Sequence, residues 1–131
     1  MTWYTASVVL AIYSNGIEQD EVPVFENFYL IEARNHAEAV EMAEVIGRDE
    51  AAANQDVEYK SLPARFYFVG IRKVRSVYNP APLDLDTDRP ICGTELSHSY
   101  FELKNRSEVE KFAKGQSVCV EYIDDDDDKS E

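Results

Sequence analysis

The sequence is poor in the residues that build disulfide scaffolds, zinc sites and phosphate-binding loops. It holds two cysteines and two histidines in 131 residues. Two cysteines are too few for a disulfide framework, and they lack the C-x-x-C spacing that is typical of a zinc site. Its five glycines are dispersed, so neither a Walker loop nor a G-x-G-x-x-G fingerprint is present. No G-x-S-x-G motif marks a hydrolase nucleophile. The common signatures of nucleotide-binding and nucleophilic enzymes are therefore missing.

Long apolar runs are missing as well. The longest run, Val8 to Tyr13, has six residues, whereas a membrane-spanning helix needs about 20. The opening residues, Met1-Thr2-Trp3-Tyr4, lack the basic and apolar regions of a signal peptide. The two cysteines, Cys92 and Cys119, are expected to be reduced thiols. We therefore expect a cytoplasmic protein with no membrane partner.

Acidic residues are abundant. Asp and Glu total 26 against 13 Lys and Arg, which gives a formal net charge of −13. A field of this sign repels nucleic acids and attracts basic partners. Residues 124–131 are almost entirely charged and have no apolar side chain to bury. We expect one domain over residues 1–123, followed by an acidic, disordered tail over 124–131.

Hydrophobic periodicity predicts the order β-β-α-β-β-α-β. The strands are expected at 2–14, 23–34, 65–78, 96–103 and 117–123. Asn35 with Glu38 predicts the start of a long helix, and Ser107 with Glu110 predicts a capping box before a short one. Gly70 favours a bulge in the third strand, and 55–64 is expected to be a loop. This order indicates an α+β fold, with a largely antiparallel sheet of about five strands and the long helix packed on one face.

Four segments of the chain resemble an uncharacterised bacterial domain-of-unknown-function family of small α+β proteins. The segments are Trp3-Tyr4, Leu30-Ile31-Glu32-Ala33 with Glu38-Ala39 and Ala43, Phe68-Val69-Gly70-Ile71-Arg72-Lys73-Val74, and Gly93-Thr94-Glu95 with Ser99-Tyr100-Phe101. The resemblance extends over roughly residues 2–103 and rests mostly on residues that pack strands and helices. It implies an α+β domain and supplies no activity.

The acidic residues give the first functional hypothesis, a non-catalytic module that docks a basic protein partner. Glu38, Glu41 and Glu44 share one side of the long helix. Asp124, Asp125 and Asp126 begin the acidic tail. Immunity proteins and antitoxins offer an analogy for such a module, and an exposed edge strand offers a route to a homodimer.

The second hypothesis is an enzyme or small-ligand binder with an aromatic pocket around His98. Histidine titrates near neutral pH, and aromatic side chains commonly line ligand pockets. The proposed lining is Trp3, Tyr4, Phe66, Phe68, His98 and Tyr100. An open cavity at these residues favours this hypothesis, whereas a filled core favours the binding module.

The acidic residues between 84 and 95 follow the spacing of a calcium-binding loop. Asp84, Asp86, Asp88 and Glu95 fall at positions one, three, five and twelve of a calcium loop, but Arg89 stands where the turn needs glycine. We therefore expect no cofactor, with calcium as the alternative.

The third strand carries a basic cluster. It consists of Arg65, Arg72, Lys73 and Arg75, interleaved with aromatic residues. Such a strand can contact RNA or form salt links with the acidic helix or tail. The net charge of −13 favours salt links, so we expect no nucleic-acid partner.

Overall fold

The computed structural model describes residues 1–15, 19–77 and 92–123, which form six strands and two helices. The strands are β1 (Thr2–Ser14), β2 (Val22–Ala33), β3 (Val57–Tyr59), β4 (Leu62–Ser76), β5 (Thr94–Leu103) and β6 (Glu121–Tyr122). The helices are α1 (His36–Ala53) and α2 (Arg106–Ala113). No helix in these ranges has the length and apolarity to cross a membrane.

The strands form one sheet in the order β3-β4-β1-β2-β5-β6, and each neighbouring pair is antiparallel. The predicted α+β class and antiparallel sheet are confirmed. Because β2 and β4 lie on either side of β1 and both oppose it, they run parallel to each other. The chain passes from β2 to β4 through α1, so a β-α-β crossover encloses the central strand.

The sheet has one strand more than the sequence predicted. The additional strand β3 lies inside the expected loop 55–64 and pairs with the start of β4. The hairpin turns at Lys60 and Ser61, whose φ angles are 52° and 66°. Tight hairpin turns commonly need positive φ, and Asn-Gly is the sequence that most strongly predicts such a turn. A Lys-Ser turn carries no such signal, and for this reason the prediction of a loop was wrong.

Helices cover both faces of the sheet. Side chains alternate along β1, so Tyr4, Ala6, Val8 and Leu10 face a core that includes the buried alanines of α1. Val9 and Ala11 face a second core that includes Val109 and Phe112 of α2. The unbroken apolar run in β1 follows from this arrangement, because a strand buried on both faces needs no polar side.

The start of α1 confirms its predicted cap, and the start of α2 does not. The Asn35 side chain accepts a hydrogen bond from the Glu38 N–H at 2.8 Å. The second helix is capped by Asn105, which accepts from the Glu108 N–H at 2.9 Å. Ser107 therefore lies inside α2. The same Asn-x-x-Glu spacing begins both helices and satisfies a backbone N–H that the helix itself leaves unpaired.

Strand β4 contains two bulges, one on each side of Gly70. In the pairing with β1, Val69 and Arg72 have no opposite residue. The predicted irregularity near Gly70 is therefore confirmed. Bulges bend a strand and strengthen its twist, and these two lie where β4 passes α2, with the Ala113 Cβ close to Gly70.

Helix α1 lies close to the sheet because its inner side is built from small residues. The buried positions are Ala39, Ala43, Gly47 and Ala51. A Cβ added at Gly47 meets the Phe68 ring, with Cε1 at 2.6 Å, and Val8 Cγ1 at 2.9 Å. The helix continues past Gly47 to Ala53, so this glycine provides space for Phe68 rather than a helix end.

We predict that Gly47→Ala destabilises the protein, although alanine normally favours a helix over glycine by about 0.5–1 kcal/mol. Forcing a methyl group into a packed core costs about 1–3 kcal/mol and outweighs that preference, so a net loss of up to about 2 kcal/mol is expected in urea unfolding. Adding Phe68→Leu to Gly47→Ala should recover part of this loss. Stability equal to wild type in the single variant would contradict the close packing.

Candidate functional site

Glu38, the first of the predicted acidic residues on α1, bonds to Arg34 at the start of the helix. Its carboxylate accepts hydrogen bonds from the Arg34 backbone N–H and Nε, each at 2.8 Å, and lies 2.7 Å from Nη2. The hydrogen bond to the Arg34 side chain is the main cause that lowers the pKa of Glu38. Glu38 therefore helps to begin the helix, and its charge is largely matched by Arg34.

Three of the other four acidic residues of α1 surround an exposed apolar side chain. Glu41, Glu44 and Asp49 form no ion pair with any residue that the structure describes. Glu41 and Asp49 stand one turn to either side of Val45, which is 54% exposed. We call these four residues the acidic face. Arg48, the one basic residue of α1, is directed instead to the Phe68 ring, with Cζ 5.5 Å from its centroid.

The predicted aromatic pocket does not assemble around His98. Tyr4 is buried in the core beneath α1, and Phe66 and Phe68 pack against the same core. Tyr100 stacks on Phe25 at a centroid distance of 4.5 Å. These four aromatic residues therefore belong to the packing of the α1 side.

His98 and Trp3 stand apart from that packing. The His98 side chain is half exposed, and its Nδ1 lies 3.8 Å from the Glu95 carboxylate. Trp3 is an odd-numbered residue of β1 and so lies on the opposite face of the sheet from Tyr4.

Most of the predicted calcium loop and the acidic tail lie outside the described residues. This holds for Asp84, Asp86 and Asp88 and for Asp124, Asp125 and Asp126. Glu95 is described, and it is an exposed residue of β5.

Three carboxylates that the sequence did not bring together meet at the end of the sheet. Glu21, Glu102 and Glu121 each place an oxygen within 4.8 Å of the others, and we call them the carboxylate cluster. Glu102 pairs with Glu121 across β5 and β6, while Glu21 directly precedes β2. The residues are far apart in sequence, so only strand pairing reveals their proximity.

The carboxylate cluster changes the pKa of one of its members. The pKa of Glu102 is raised to about 7, mainly by partial burial and then by the hydrogen bond and charge of Glu21 and the charge of Glu121. The charge of Lys60 lowers it. The raised pKa therefore follows from the partly buried position of Glu102 beside two other carboxylates. Glu21, Glu102 and Glu121 also form a group of described residues whose spacing could hold a metal ion, because their carboxylates offer up to six oxygens and calcium takes six to eight.

Comparison with known proteins places the chain in a family. Residues 3–86 match the domain of unknown function DUF4288, and the chain belongs to that family. No curated protein and no solved structure matches it. The resemblance seen in the sequence is confirmed over these residues, while a bacterial origin stays a prediction. The family carries no assigned activity, so the function of this chain is inferred from the surfaces described above.

We predict that Glu102→Gln changes how stability depends on pH. A carboxyl group with a raised pKa binds more protons folded than unfolded, so its contribution to stability falls as pH rises. For Glu102 the window runs from its ordinary value of 4.5 to about 7. Thermal unfolding should therefore show Glu102→Gln gaining stability over wild type between pH 4 and pH 8.

The matched control is Glu58→Gln, which neutralises an exposed carboxylate on β3. Its unfolding temperature should follow that of wild type across the same range. If Glu102→Gln also followed wild type in parallel, the raised pKa of Glu102 would be contradicted.

Proposed function

We propose that this protein is a non-catalytic, cytoplasmic binding module that docks a basic protein through the acidic face of α1. The observation that carries the proposal is the exposed side chain of Val45, flanked by Glu41, Glu44 and Asp49, whose carboxylates have no ion pair among the described residues. Interfaces commonly centre on an apolar anchor with a polar rim. A basic partner with an apolar contact residue matches this surface.

The charge distribution supports the direction of the proposal. Helix α1 carries five carboxylates against Arg48 alone, a net charge of −4. Negative charge gathered on one surface attracts a positively charged partner and speeds its encounter, with a strong dependence on ionic strength. The Asp-rich stretch at 124–128 is the second acidic element of the proposal. Immunity proteins and antitoxins that bind basic nucleases supply the analogy.

We predict that Glu41→Lys with Glu44→Lys abolishes capture of a basic protein from a host extract at low salt. Wild-type protein should retain that partner at low salt and release it at high salt. The matched control is Asp56→Lys with Glu58→Lys, which changes net charge equally at exposed positions outside α1. The control should capture the partner as wild type does.

Once the partner is identified, its association rate with Glu41→Lys, Glu44→Lys should fall about tenfold, with a smaller change in dissociation. Equal losses in both double variants would assign the effect to net charge alone. Capture that is indifferent to salt and to both double variants would overturn the proposal. Glu38 is unsuitable for this test because its reversal also removes the bonds to Arg34.

A further inference from the structure

The outer edge of β4 is the longest unpaired strand edge in the described ranges. Strand β3 pairs only with residues 62–64 of β4, and β1 occupies the inner edge. Residues 65–76 therefore have one side without a neighbouring strand in the described part of the chain. An open edge presents backbone N–H and C=O groups that another extended segment can pair with.

A groove runs between this edge and α2. It has a volume of about 530 Å³ and is lined by residues 67–71 of β4, by Tyr13, and by the α2 side chains Glu110, Ala113 and Lys114. Tyr67 is 42% exposed, and its ring lies 5.2 Å from that of Tyr13. The groove therefore combines an unpaired strand edge with a lining that is apolar apart from Glu110 and Lys114 and that can accept a side chain.

The strand beside the groove is strongly basic. Residues 62–76 contain Arg65, Arg72, Lys73 and Arg75 and no acid, a net charge of +4 in a chain whose total is −13. Arg72 is held by α2, because its Nη1 donates to the Phe112 carbonyl and its guanidinium lies over the Phe112 ring. The other three are exposed and form no ion pair with a described residue.

We propose that the outer edge of β4 binds an extended acidic peptide segment as an added strand, with an apolar side chain of that segment in the groove beside α2. Strand addition to an exposed sheet edge is a general mode of peptide recognition, in which main-chain bonds give affinity and side-chain pockets give specificity. Here the basic side chains of β4 select the acidic segment. This surface is separate from the acidic face and goes beyond the proposed function.

Charge also argues against a second copy of this chain and against a nucleic acid as the partner of this strand edge. A second copy that pairs through the same edge sets the basic strand against itself, and like charges opposite each other destabilise a strand pair. A nucleic acid leaves the strand's main-chain groups unpaired, and its length carries it past the basic strand into the field of an acidic protein. A short acidic peptide interacts mainly with charges within a Debye length, about 8 Å at physiological salt.

The probe is a fluorescein-labelled peptide of seven residues, in which four aspartates alternate with valine, phenylalanine and valine. Two control peptides keep the length, one with lysine for aspartate and one with proline for each valine. Proline has no N–H to pair with the strand edge. Fluorescence anisotropy on the full-length protein should show binding of the acidic peptide only, weakened by salt.

The protein variant that tests the charge is Lys73→Glu with Arg75→Glu, which should weaken binding of the acidic peptide about tenfold or more. Its matched control, Lys73→Arg with Arg75→Lys, keeps both charges and should bind as wild type does. Circular dichroism and thermal unfolding establish that both variants fold. Equal weakening in the two double variants would overturn the role of charge.

Amide hydrogen exchange tests the strand addition itself. At a peptide concentration about ten times the Kd, exchange at the outer-edge amides of a stretch of about seven residues within 65–76 should slow about tenfold, with no matching change in α1. Binding without this protection, or no binding at all, would overturn the proposal. Protection that appears without peptide as the protein dimerises would assign the edge to a second copy, and displacement of the peptide by single-stranded RNA at equal charge would assign it to nucleic acid. Either outcome contradicts the inference.

Discussion

Strand β1 lies between β4 and β2 and is buried on both faces, so the other elements must supply it with hydrogen-bond partners and apolar cover. Its residues Val8 to Ala11 are almost inaccessible to solvent. One pair of alternating positions needs α1 and the other needs α2, and this requirement puts the two helices on opposite faces of the sheet. Burial of these side chains also fixes the register, because a slip of one residue exchanges the two faces.

The distance of α1 from the sheet depends on the same burial. A helix with larger residues in place of its buried alanines and Gly47 cannot approach β1 and β4 as closely. Because its inner side is built from small residues, α1 packs closely against the sheet and leaves Glu41 and Asp49 exposed on its outer side. These two acids form no ion pair with a described residue, while Glu38 shows the opposite case of an acid used to begin the helix.

Local signals in the sequence predicted local structure well. Asn35 and Glu38 predicted the start of α1 because the cap is made by residues three apart. Gly70 predicted the irregular pairing of β4 because glycine in a strand commonly marks a bulge. The start of α2 was misplaced because two caps overlap there, and Asn105 is the one the chain uses. Features that depend on strand pairing escaped prediction, and the carboxylate cluster of Glu21, Glu102 and Glu121 is the clearest of them.

The pairing of β1 with β4 has a consequence for the newly synthesised chain. Strand β2 follows β1 closely, but β4 comes only after α1 and β3, and α2 comes later still. Before β4 is made, β1 has an unpaired edge. Before α2 is made, the hairpin of β1 and β2 has one apolar face without cover. Exposed apolar surface and unpaired edges are what chaperones bind and what drives misassembly during folding. The ribosome therefore releases the most apolar strand of this protein well before the residues that will shield it.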